Sequence, residues 1–112
     1  MTERYDGMAA RLRAAVLESD AGTDRTTRRA VEQRAAVLGG REDAGPVEVP
    51  EELREYVDKI ARHAYRVTDQ DVLQLRHLGY SEDEVFEVTA SAALGAGLGR
   101  LERAYAALRG EV

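Results

Sequence analysis

Ser81-Glu82-Asp83-Glu84 opens the stretch that most constrains this chain. The serine and the glutamate three residues on form a capping box, and acidic residues suit the positive end of a helix. From Val85 to Leu98 the residues are apolar on nearly every side, and nothing stops the helix before about Arg109. A helix without a polar face has to be covered by others. The expectation is an all-α, compact bundle in which Glu82 to Arg109 is the long central helix.

About five helices can be read, and no strand. The first runs from Tyr5 to Glu18 with Met8, Leu12, Ala15 and Val16 on one stripe. The second starts at Thr23 or Asp24 as N-cap, continues to Leu38 and stops at Gly39-Gly40. Its apolar face holds Thr27, Ala30, Val31, Val37 and Leu38, with Arg34 among them. Residues 41–49 form a loop without periodicity, and Pro50 is placed to open the third helix. That helix has the cleanest pattern: Leu53, Tyr56, Val57, Ile60, Ala61 and Ala64 recur at steps of three and four. Thr68-Asp69-Gln70-Asp71 starts a short fourth helix carrying Val72, Leu73, Leu75 and Leu78, and Gly79 ends it.

The 112 residues fit one domain, 1–112, with N-terminal helices over 1–40. A chain this small has a poor ratio of surface to volume, so self-association is expected. With no Cys, it has no disulfide, thiolate nucleophile or Cys-bound metal. The net charge of −5 speaks against nucleic acid and anionic lipid as partners. Arg25, Arg28, Arg29 and Arg34 cluster, but acidic residues answer them nearby. The opening Met1-Thr2-Glu3-Arg4-Tyr5-Asp6 is polar, so no leader is expected. The stretch from Val88 to Leu98 is too short and too rich in Gly to cross a membrane. Cytoplasm is the expected location.

Several constellations imitate functional motifs. The fourth and fifth helices could pass for a DNA-binding pair, but Glu82, Asp83, Glu84 and Glu87 would face phosphates. Asp69 and Asp71 are spaced like the start of a calcium loop whose glycine and closing glutamate are missing. His63 and His77 lack metal-ligand spacing, so neither a metal nor a cofactor is expected. His63 sits between apolar positions and reads as partly buried. Gly95, Gly97 and Gly99 lack the preceding strand and the Lys-Ser/Thr of a phosphate loop. Close approach of a neighbouring helix, in this chain or another subunit, better explains glycines within a helix.

The run from Tyr56 to Leu108, about half of the chain, resembles the core of the carboxymuconolactone decarboxylase and alkylhydroperoxidase-D (AhpD-like) superfamily. That family has the pattern H-x7-G-x-S/T-x-x-E-I/V followed by a long helix. Gly79, Ser81, Glu84 and Val85 match its second half, and Leu98-Gly99-Arg100-Leu101 resembles the segment near the end of the long helix. The resemblance implies an all-helical core over 50–112 and a trimer or hexamer. In the peroxidase branch the chemistry sits on C-x-x-C-x-x-x-H. Those places fall here on Ala64, Val67 and Asp71, so thiol peroxidase activity is not expected. Glu52 lies where that branch often carries an assisting Glu, and where any first helical turn can carry one. The decarboxylase branch needs no thiol and acts on small anionic lactones.

Two functions remain from different classes. The leading one is a non-redox, oligomeric binding, scaffold or accessory protein with a protein partner. The alternative is a cysteine-independent lyase or isomerase acting on a small acidic metabolite by general acid–base catalysis. A pocket built from Tyr56, His63, Asp71 and Arg100 would carry it, with Asp71 standing in the place of the family's His.

Overall fold

A computed structural model describes residues 2–110, and in it capping groups place most of the helix starts. α1 spans Thr2–Leu17, α2 Arg25–Gly39, α3 Glu51–His63, α4 Asp69–His77 and α5 Glu82–Leu108; a 3₁₀ turn, Ala64–Arg66, follows α3. There is no strand among the described residues, and no described helix is long and apolar enough to cross a membrane. Asp24 caps α2 by accepting from the Thr26 N–H at 3.2 Å. Thr68 and Asp71 form a full capping box on α4, and Ser81 and Glu84 another on α5. Thr23, the other candidate cap, is buried instead and donates its hydroxyl to Glu87 on α5.

α2 and α5 form the spine. Thr23 meets Glu87, Glu32 meets Gly95, and Ala36 meets Gly99, a nearly constant offset that makes the two helices parallel. A Cβ on Gly95 would overlap the Glu32 carbonyl, and one on Gly99 the Ala36 carbonyl. Both positions therefore need glycine. Gly97 has nothing within 4 Å of such a Cβ. The three glycines are thus not one stripe, because residues two apart point to opposite sides of a helix. The helix approaching Gly95 and Gly99 belongs to the same chain.

α3 closes the core as its periodicity predicts: Leu53, Tyr56, Val57, Ile60 and Ala61 are all buried against Val31, Val85, Val88 and Ala92. Ala64 is exposed, since the helix has tightened into the 3₁₀ turn by then. Only Leu75 of the α4 set is buried, and Leu73 and Leu78 are exposed. α1 departs furthest from its pattern. Met8 and Leu12 stay nearly half exposed and Ala15 is exposed, while Tyr5 and Leu17 are the residues it buries.

The surface beneath α1 explains this, because it is polar. Arg28 is buried and donates to the carbonyls of Val16 (2.8 Å) and Ser19 (2.6 Å), satisfying the end of α1. Glu32, fully buried, is paired by Arg41 at 2.9 Å and by Arg13 of α1 at 3.2 Å. Arg41 also grips Glu102 of α5 with two bonds of 2.8 Å. Burying Glu32 is tolerable only because two guanidinium groups surround it.

Candidate functional site

The cleft that includes Asp71 lies between α3 and α4. Each helix supplies one face at the spacing i, i+3, i+4, i+7: Glu52, Glu55, Tyr56 and Lys59 from α3, and Asp71, Gln74, Leu75 and Leu78 from α4, with His77 beside them. The space between them is about 260 Å³ and opens to solvent. Tyr56 and Leu75, both buried, form its floor.

Asp71 has no idle oxygen. The Lys59 ammonium donates to both carboxylate oxygens, at 2.9 and 3.1 Å. One of the two also accepts the Thr68 N–H at 2.9 Å as the capping box. The Lys59 bond, then the Thr68 N–H, hold its carboxyl below the usual aspartate range. Asp71 is therefore always charged near neutrality and a weak base.

Tyr56 is tied away from the cleft. Its hydroxyl lies 2.7 Å from that of Thr89, whose own proton goes to the Val85 carbonyl at 2.7 Å. Thr89 has only one proton to give, so Tyr56 is the donor. Tyr80, which does not line the cleft, donates to Glu52, which does, at 2.6 Å. Burial first, then this bond and the Glu52 charge, push the Tyr80 phenol up to about 12, and the same bond holds Glu52 below its usual value.

Of the four residues expected to share a pocket, the structure brings together Tyr56 and Asp71 and leaves out His63 and Arg100. His63 is exposed, not partly buried, and stands edge-on to the Tyr65 ring, with centroids 5.9 Å apart. The backbone breaks at His63, where α3 gives way to the 3₁₀ turn, and this carries the side chain off the apolar face. Arg100 turns to the end of α3 and donates to the Ala61 carbonyl at 2.5 Å, where a cation offsets the negative helix end.

In their place stand Lys59, Glu55, Gln74 and His77. The sequence signals the first only weakly: Lys59 follows the i+3 and i+7 steps from Tyr56 and Glu52, but its partner is twelve residues away on another helix. No three His, Asp or Glu side chains are grouped to hold a metal among the described residues. The arginine cluster is answered much as expected, with Arg25 on Asp20 and Arg34 gripping Asp58 at 2.6 and 2.8 Å. Arg29 pairs with Glu18, and Arg28 alone is held by backbone carbonyls and Ser19 rather than by a carboxylate, its buried Nε having no hydrogen-bond partner among the described residues.

Fold and cleft together define an all-helical protein with a shallow, mixed-charge cleft between its third and fourth helices. No protein-family model, curated protein or solved structure matches the chain.

Proposed function

We propose that this protein is a non-redox relative of the AhpD-like superfamily that works as an oligomeric binding, scaffold or accessory protein. The observation that carries this reading is the Asp71 carboxylate, fully engaged by Lys59 and the Thr68 cap. In the place where the family's reactive His would stand, this chain has a structural ion pair. The places of the two cysteines, Ala64 and Val67, carry no nucleophile.

The cleft also argues against acid–base turnover of a small acidic metabolite. Glu52, Glu55 and Asp71 face it with a single ammonium, Lys59, so its field repels a carboxylate substrate. Tyr56 donates its proton to Thr89 and not towards the space.

The test joins two measurements. Light scattering at micromolar concentration is expected to give a multiple of the 12.3 kDa chain mass. Small lactone acids incubated with the protein are expected to show no turnover above buffer by NMR. A monomer mass would remove the oligomeric reading. Turnover that disappears in Asp71→Asn would replace the binding role with the enzyme.

A further inference from the structure

α5 is apolar on its outer side as well as its inner one. Its inner face packs on α2 and α3 through Val88, Ala92, Gly95, Ala96 and Gly99. On the opposite side Phe86 is 72% exposed, Leu101 43% and Leu108 77%, and Ala93 and Gly97 are exposed between them. No charged residue interrupts this line; Arg100 borders it and is held by the Ala61 carbonyl. A helix apolar all round belongs in an interior. Here its outer side has no cover among the described residues.

We infer that the outer face of α5 pairs, antiparallel and about a two-fold axis at Gly97, with the α5 of a second copy of this chain. This rests on the self-association proposed above and names the surface responsible. The positions along the face, 86, 90, 93, 97, 101, 104 and 108, are spaced symmetrically about Gly97. With Gly97 opposite itself, Ala93 falls opposite Leu101, Ala90 opposite Ala104, and Phe86 opposite Leu108. Each large side chain meets a small one, or its counterpart at the far end, so the ridge of one helix fits the other. Such a self-complementary patch makes a closed pair.

Gly97 supplies an independent reason. A glycine inside a helix weakens it, and the nearest helix explains Gly95 and Gly99 but leaves Gly97 in open space. At the crossing point of two helices, the missing side chain lets the backbones approach.

The extent of the surface suits a second copy. From Phe86 to Leu108 the face is about 33 Å long, and a strip one helix wide gives a footprint of roughly 800 Å² for two chains. Stable interfaces bury about 1,200–2,000 Å² in total, so a flank is needed. α1 provides it. Tyr5 packs on Tyr105, at 4.9 Å between ring centroids, and Tyr105 adjoins Leu101 and Leu108 by helical spacing. Met8 and Leu12 remain exposed on that same α1. Antiparallel pairing also sets the helix dipoles head to tail.

The experiment measures the mass of the full chain by light scattering, with helicity checked by circular dichroism. Wild type is expected to give an even number of chains. Ala93→Glu, an exposed position, is expected to halve that number with helicity kept, because its carboxylate would lie against the second copy's Leu101. The double variant Ala93→Glu/Leu101→Lys is expected to restore the wild-type mass, since in the antiparallel register each Glu then meets a Lys. Residues 93 and 101 are too far apart on one helix to pair within a chain. An oligomer whose mass Ala93→Glu leaves unchanged overturns this interface while self-association stands. A trimer, or a double variant that fails to recover, overturns the antiparallel pair. A monomeric wild type overturns both readings together.

Discussion

The Lys59 ammonium straddles the Asp71 carboxylate, 2.9 Å from one oxygen and 3.1 Å from the other, and so ties the start of α4 to the middle of α3. One carboxylate thereby serves as capping-box partner and as inter-helix link. Both roles are structural. Asp71→Asn is expected to lower the melting temperature slightly and leave any ligand affinity unchanged. Thr68→Ala, which removes the same cap from the other side, is expected to cost about 1 kcal/mol in urea unfolding. An Asp71→Asn protein of full stability that lost affinity for a ligand copurifying with the wild type would contradict the structural role.

Close packing of α2 on α5 sets the second expectation. Gly95→Ala forces a methyl group against the Glu32 carbonyl and should destabilise by about 1–3 kcal/mol through overpacking. Gly7→Ala is the control. It lies within α1, where the added methyl meets only the far end of Arg11 at 3.5 Å, and should stabilise by about 0.5–1 kcal/mol. Equal effects at the two positions would show that α2 and α5 do not touch at Gly95.

Arg41 is a second point where the chain depends on one side chain. Arg41→Ala leaves the buried Glu32 with Arg13 alone and releases Glu102, an expected loss of about 3–5 kcal/mol. Arg25→Ala breaks only the exposed pair with Asp20, where about 0–1 kcal/mol is expected. Denaturant titration of the two variants compares them directly. A small effect at Arg41 would mean that water reaches Glu32.

The carboxylates and Tyr80 give the pH response. Burial pulls the Glu87 carboxyl up, but the Thr23 hydroxyl and N–H and the Gly22 N–H outweigh it and hold Glu87 below its ordinary 4.5. Asp71 is likewise held below 3.8. Both are deprotonated more readily in the fold than in the unfolded chain. Their contribution is complete above about pH 4.5 and is lost as the pH falls below the ordinary values. The melting temperature should therefore be flat from neutrality to about pH 4.5 and then drop, with a shallower drop in Glu87→Gln. At the alkaline end the sign reverses. The fold favours the neutral Tyr80 phenol, whose contribution is complete below pH 10 and lost as the pH rises through about 12. Burial also raises the Tyr5 phenol, so ultraviolet titration should show late phenols, of which Tyr80→Phe removes the one near 12.

Local chemistry made much of this protein legible from its sequence. The two capping boxes, the stop at Gly39-Gly40 and the buried face of α3 depend on residues within four positions of one another, and each lies where the sequence places it. The absence of cysteine, which bars thiol chemistry, is likewise read without a fold. What the tertiary structure alone decided are relationships between distant segments. In the sequence Asp71 reads both as the box partner of Thr68 and as a candidate base, and only the fold sets Lys59, twelve residues away, against it. Tyr56 and Asp71 share a cleft, while His63 and Arg100 do not, because the break at His63 and the pull of the Ala61 carbonyl are set by packing. The stripe of α1 looked like a core face, yet the surface it meets carries Arg28 and Glu32, so Tyr5 and Leu17 are buried instead. Periodicity fixes which residues share a side of a helix. Which side is covered depends on the neighbour that three-dimensional packing brings there.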